Sequence, residues 1–211
     1  MGDRLQSASP KSLQDLRRQF GAQHYIKLPS FFDLALVEGV ASEIATAEFE
    51  GRTSEGVGSE WLMKPNALGA KLNWQLNAPE LIRTIRHVTD CADIGVFGGR
   101  VYRIDPASGQ SFSWHDDRQF EERRLAISVN LGTQPHSGGV LRIREKRAPE
   151  TFTEVPNSGP GDAVVFRVAD DLEHCVTPVE GAVPRLAFSG WFKAGASYYS
   201  SLLRELSKQH A

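Results

Sequence analysis

The sequence predicts a mainly β fold flanked by helices, and three observations carry that prediction. From about residue 93 onward, eight short β-rich runs follow one another: GVFGGRVYRI, FSWHD, RLAISVNL, GGVLRIR, FTEV, DAVVFRV, EHCVTPV and RLAFSGWF. Their length, and the turn-forming SGG, PNSGPGD and EGAVP between them, suit an antiparallel sandwich or barrel. The first third reads as helical instead. Helices first and strands afterwards place the helices against one sheet of a β-sandwich and argue against βαβ units.

Taken in order, Leu13, Leu16 and Phe20 recur at helical spacing, and a short strand, HYIKL, follows. Pro29 and Ser30 introduce FFDLALVEGVASEIATAEF, whose apolar residues suit a long, partly buried helix. GRTSEGVGS (51–59) is rich in Gly and Ser and reads as a mobile loop. Segment 79–89 opens with Pro79 and Glu80 and carries Leu81, Ile82, Ile85 and Val88 on one side, as an amphipathic helix does. ASYYSSLLRELSKQ suits one last helix. With no repeat and no linker, residues 1–211 read as one domain: helical support over 1–92, a β unit over 93–193 and a closing helix over 194–211.

Composition narrows the function classes. Hydrophobic residues are 40% and charged residues 24%, as in ordinary globular proteins. A formal net charge of -2 gives no field that would hold nucleic acid or an anionic membrane. No apolar run approaches the ~20 residues of a membrane-spanning helix. The opening MGDRLQSASPKSLQDLRRQF lacks the apolar core of a secretory signal, and Asp3 speaks against myristoylation at Met1-Gly2. A cytoplasmic location is the expectation. Two cysteines, Cys91 and Cys175, are too few for a disulfide scaffold and read as buried thiols.

The chemistry concentrates in WHDD. On a regular strand His115 and Asp117 share a face, with Trp114 and Asp116 on the other. An imidazole and a carboxylate on one face are two of the three ligands of the facial triad that holds non-haem Fe(II) with positions left open. His174 is the best third ligand, because it opens the strand-like EHCVTPV. His24 and His87 lie in the helical third, His136 in a polar turn and His210 in the tail. Eleven residues beyond His174 stands Arg185, and the intervening TPVEGAVP reads as a turn between neighbouring antiparallel strands. Along RLAFSGW, Arg185, Ala187, Ser189 and Trp191 share one face. A forked cation, a gap, a hydroxyl and a wall suit a dicarboxylate whose other end, a 2-oxo acid, chelates the metal.

These stretches together resemble the Fe(II)/2-oxoglutarate dioxygenase superfamily, and within it the prolyl 4-hydroxylase-like branch. The resemblance covers about residues 95–193: VYRI, HDD, RRLAISVNL, SGGVLRI, GDAVVF, the distal histidine and R-x-x-x-S-x-W. It implies a double-stranded β-helix, a distorted jelly roll, with amino-terminal helices packed on one sheet. It implies iron on His115, Asp117 and His174, and 2-oxoglutarate on Arg185, with Ser189 where the family has Thr. Tyr102 stands where a co-substrate-binding tyrosine is usual, after a longer loop to His115, and Asn130 stands where many relatives have tyrosine. Arg123 or Arg124 faces the substrate entrance or is a solvated charge, and Trp191 is a packing wall or a binding residue.

The implied reaction consumes Fe(II)-bound 2-oxoglutarate and O2, releases succinate and CO2, and hydroxylates an unactivated C–H; ascorbate is a candidate reductant. Asp117 argues against a halogenase, and the single arginine of RLAFSGWF against a nucleic-acid demethylase. The expected substrate is a prolyl-like or other amino-acid side chain in a peptide or protein, with a free amino acid or small metabolite as the alternative. A non-enzymatic, cupin-like domain binding a metal or small acid is the rival of another class. Loop 51–59 and segment 104–124 are the candidate lids.

Overall fold

The computed structural model describes residues 10–106, 108 and 110–209, so Met1-Gly2 and His210 lie outside the described residues. The described residues form five helices and thirteen strands: α1 (Pro10–Gln23), β1 (Tyr25–Leu28), α2 (Leu34–Ile44), β2 (Phe49–Ser54), β3 (Gly58–Met63), α3 (Ala67–Leu76), α4 (Pro79–Thr89), β4 (Ile94–Ile104), β5 (Phe112–His115), β6 (Arg123–Asn130), β7 (Ser137–Gly138), β8 (Leu141–Glu145), β9 (Phe152–Val155), β10 (Ala163–Arg167), β11 (Leu172–Val176), β12 (Val179–Glu180), β13 (Arg185–Ala194) and α5 (Tyr198–Gln209).

All eight expected β runs form strands, and with β1, β2 and β3 they curl into one antiparallel sheet of order β1-β10-β6-β13-β4-β3-β5-β11-β8-β9, with β2 paired to β3. β3 is the bend that closes the roll. Its Trp61 and Leu62 pair with Arg103 and Tyr102 of β4, while its Gly58 pairs with Phe112 of β5. The result is a curled, mainly β fold with two walls facing each other across an interior.

Alternation on the large wall decides which side chains face what. On β13, Phe188 and Phe192 point to the helices; on β6, Leu125, Ile127 and Val129 do the same. They pack against Phe20 of α1, Val37 and Val40 of α2, Leu72 and Leu76 of α3, and Ile85 and Val88 of α4, all at most 2% exposed. At about 1.5–3 kcal/mol for each large apolar side chain fully buried, this layer is the main stabilising element. The opposite parity, Tyr102, Ala126 and Ala187 among others, lines the interior.

Helix α3 was not legible in the sequence, and its role is specific. β4 pairs with β3 at only two residues, which leaves backbone groups beside Phe97 and Gly99 open. Asn77 donates to the Phe97 carbonyl (3.0 Å) and accepts from the Phe97 amide (2.8 Å). Asn73 does the same for Gly99, at 2.9 and 2.8 Å. Two asparagines one helical turn apart thus replace a missing strand.

Three expectations are corrected. Segment 51–59 is not a loop: it forms most of the β2–β3 hairpin, turning at Gly56 with φ 70°. The helix expected over 31–49 is shorter, capped by Asp33 and ended at Ile44, because Phe49 already belongs to β2. β11 and β13 are not neighbours: β11 pairs with β5 and β8, β13 with β4 and β6. The TPVEGAVP link therefore crosses from one wall to the other. Cys91 and Cys175 are buried free thiols, as expected. Among the described residues no helix is long and apolar enough to cross a membrane.

Candidate active site

The two imidazoles come together through strand register. His115 on β5 and His174 on β11 are direct antiparallel partners, so their side chains leave the small wall side by side, with ring centroids 4.2 Å apart. Asp117 arrives differently from the sequence expectation. β5 ends at His115, and Asp117 has a left-handed backbone, φ 61°, that swings its carboxylate back over the pair. A turn, not a regular strand, places Asp117. Asp116 points away, accepting from the Arg118 amide at 2.9 Å and from Lys146 at 2.5 Å.

One ligating atom from each of His115, Asp117 and His174 lies within 4.8 Å of the others. The Asp117 carboxylate is 3.9 Å from His115 Nε2 and 3.5 Å from His174 Nε2. His115 Nδ1 stands 2.6 Å from the Ser113 carbonyl, which leaves Nε2 as the free lone pair. Burial, then the neighbouring His115, pushes the His174 pKa down to about 4, so its imidazole is neutral at neutral pH, the form that ligates.

Asp117 is itself held. Arg123 donates to Oδ1 at 2.8 Å and the Trp191 indole N–H to Oδ2 at 2.7 Å. The Arg123 guanidinium lies 3.5 Å above the Trp191 ring. Arg123 is thus a buried partner of Asp117, and Trp191 is a donor as well as a wall. Arg124 faces outward and pairs with Asp93 at 2.9 Å.

Across the interior, on the large wall, Arg185 is 9% exposed and faces the cluster. It donates to Tyr102 Oη and, at 3.1 Å, to Ser128 Oγ, and among the described residues it has no carboxylate partner. Gly139 makes room for it. With φ 60°, that glycine packs so closely that a Cβ would stand 2.7 Å from Arg185 Cδ. Ser189 Oγ is buried with no hydrogen-bond partner among the described residues. A buried guanidinium without an anion and a buried hydroxyl without a partner are what a carboxylate-bearing ligand would satisfy. Together with two imidazoles and a carboxylate, the residues fit Fe(II) and a dicarboxylate co-substrate.

Metal cluster and Arg185 share one cavity of about 510 Å3, walled also by Leu62, Phe112, Phe166 and Val176. Glu60, Arg52 and Arg100 line it too; burial pushes the Glu60 carboxyl up, opposed by Arg52, Arg185 and Arg100. Asn130 lies on the other side of Arg185, on a pocket of about 40 Å3 shared with Ser128 and His136. Its amide is engaged with backbone, donating to the Ser158 carbonyl at 2.7 Å and accepting from Gly132 at 2.9 Å. Among the described residues His136 Nε2 is buried there without a partner, and burial and then Arg185 lower its pKa. Ser128 was missed in the sequence, although the alternation of RLAISVN puts it in phase with Ala126 on the inner face.

This arrangement spans the β4-to-β13 stretch. Residues 99–193 match the 2OG-Fe(II) oxygenase superfamily. Both histidines, Asp117, Tyr102 and Arg185 fall inside the matched oxygenase segment. Among solved structures the fold is similar to a prolyl-4-hydroxylase from Pseudomonas putida, at 20% identity and TM-score 0.65 over 87% of this chain and 99% of that one. It is similar to a 2OG-Fe(II) oxygenase family oxidoreductase from Burkholderia pseudomallei, at 15% identity and TM-score 0.68 over 90% and 95%. It is also similar to the epimerase SnoN, solved with Fe3+, alpha-ketoglutarate and nogalamycin RO, at 15% identity and TM-score 0.67 over 88% and 85%. These likenesses carry the jelly-roll fold. No curated protein matches the chain. The oxygenase family implies Fe(II), 2-oxoglutarate and O2 as the reagents.

Proposed function

We propose that the chain is an Fe(II)- and 2-oxoglutarate-dependent oxygenase that hydroxylates an unactivated C–H of a prolyl-like or other amino-acid side chain in a peptide or protein. The observation that carries this reading is the His115–Asp117–His174 cluster facing a buried, anion-free Arg185 across one cavity. When bound, the metal with its co-substrate and O2 supplies the oxidising power.

The chain's own residues supply place and order. His115, Asp117 and His174 would hold the metal ion, and their side chains face the cavity that would receive the co-substrate. Trp191 and Arg123 fix the rotation of the Asp117 carboxylate, so that the ligand set is preorganised. Arg185, steadied by Tyr102 and Ser128, takes the distal carboxylate of 2-oxoglutarate through its fork, and Ser189 donates a hydrogen bond beside it. Phe112, Phe166 and Val176 keep the metal side of the cavity dry.

Small molecules as substrates form a second reading, favoured by the charged side chains that the β2–β3 hairpin brings over the cavity, Arg52 and Glu60. Incubation of the iron-loaded protein with 2-oxoglutarate, air and a panel of prolyl peptides and free amino acids tests both. Succinate release together with a product heavier by one oxygen atom supports hydroxylation, and Asp117→Ala should abolish it. Succinate production unchanged in Asp117→Ala refutes the ligand assignment. No succinate from the wild-type chain favours the non-enzymatic rival.

A further inference from the structure

The cavity carries more positive charge than the iron site and co-substrate would use. Five cationic side chains line it (Arg52, Arg100, Arg123, Arg185 and Lys193) against two carboxylates, Glu60 and Asp117. Arg123 is occupied by Asp117, and Lys193 lies 3.7 Å from Glu122. Arg185 is reserved for the co-substrate, and a ferrous ion with a dianionic 2-oxo acid adds no net charge. Arg52 and Arg100 remain. Among the described residues neither makes a hydrogen bond or an ion pair, and both reach solvent at the open rim. Glu60 is the cross-strand partner of Arg52 and the one carboxylate of the lining other than Asp117.

Register places Arg100 on the route a substrate must take. On the large wall Arg100 is opposite Ser189, and one row further Gly98 is opposite Trp191, whose indole holds Asp117. A Cβ at Gly98 would meet nothing within 4 Å, so the floor between Trp191 and Arg100 is open. A molecule with its reacting carbon near the metal ligands and its body over Gly98 brings its far end to Arg100, under the hairpin that carries Arg52.

We propose that the substrate bears a carboxylate that Arg100 and Arg52 bind at the cavity rim, an inference that rests on the oxygenase reading above. A low-dielectric cleft with unpaired guanidiniums concentrates anions and orients them. Arg prefers the forked geometry of a carboxylate to a neutral amide. The carboxylate belongs either to a small acid or to an acidic residue or terminus of a peptide.

The test uses probes paired as acid and amide: N-acetyl-L-proline with N-acetyl-L-prolinamide, and a prolyl peptide carrying Glu with the same peptide carrying Gln. Each is added without oxygen to the full chain loaded with Fe(II) and 2-oxoglutarate. Perturbation of the weak visible band of the chelated 2-oxo acid reads binding, and succinate release after air reads turnover. The acid member should act at roughly tenfold lower concentration than its amide in at least one pair, and Arg100→Gln should bring the pair within about threefold. Preference in the first pair alone assigns a small acid, and in the second alone an acidic peptide. The proposal is overturned if amides act as well as acids, or if the preference survives in both Arg100→Gln and Arg52→Gln. It is also overturned if no probe binds although the band forms. A wild-type chain that forms no band overturns the oxygenase reading itself, which separates the two failures.

Discussion

Arg185 gives the sharpest consequence for a single side chain. Its guanidinium is buried with two neutral partners, Tyr102 and Ser128, and, among the described residues, no bonded anion. Such a charge lowers the stability of the ligand-free protein, and it is compensated only when a carboxylate arrives. Arg185→Met keeps much of the volume and removes the charge. Truncating one side of a buried, hydrogen-bonded charge pair costs about 2–5 kcal/mol of affinity, or roughly 30- to 5000-fold in Kd. At a 2-oxoglutarate concentration of about 100 Kd, the wild-type protein gains about 2.7 kcal/mol from ligand. For a chain of this size that is roughly 5–11 °C in melting temperature. The same concentration should stabilise Arg185→Met by under about 1 kcal/mol, a rise of at most about 4 °C. Thermal melts of the metal-loaded, oxygen-free protein with and without 2-oxoglutarate measure this directly. The ligand-free melting temperature of the variant should equal or exceed that of wild type. A full wild-type shift in Arg185→Met would refute the role given to this residue.

Two further substitutions probe the supports of the site. Trp191→Phe removes the indole donor from Asp117 and should weaken Fe(II) binding about 10- to 100-fold in an anaerobic titration; a change under about threefold would mean that the hydrogen bond does not orient the ligand. Asn77→Ala leaves the Phe97 amide and carbonyl without their helix partner and should lower unfolding free energy by about 1–3 kcal/mol in urea; equal stability would show that α3 does not complete the sheet edge.

Much of the β fold was legible because inward and outward residues alternate so regularly along RLAISVN and RLAFSGWF that the strands, their faces and the helix-covered side all follow. The clustering of His115, Asp117 and His174 was legible for a partly wrong reason. Same-face spacing of His115 and Asp117 assumed a strand through Asp117, whereas the chain leaves the strand at His115 and turns through φ 61°. Residues two apart can converge by either route, and spacing alone does not separate them. The pairing of His115 with His174, the crossing of TPVEGAVP between walls and the partnership of Arg123 with Asp117 are long-range. They depend on register and curl, which local pattern does not encode. The hairpin at 49–63 hid behind its Gly and Ser content, because an exposed, polar β-ribbon and a loop share the same composition. The strand-like use of Asn73 and Asn77 left no local signal at all.

The most direct measurement is an anaerobic titration of the purified chain, first with Fe(II) and then with 2-oxoglutarate, followed in the visible spectrum. The account predicts one iron per chain and a weak charge-transfer band on addition of the 2-oxo acid, lost in Asp117→Ala and requiring far more 2-oxoglutarate in Arg185→Met. Absence of the band in the wild-type chain, or its persistence at full strength in Asp117→Ala, would contradict it.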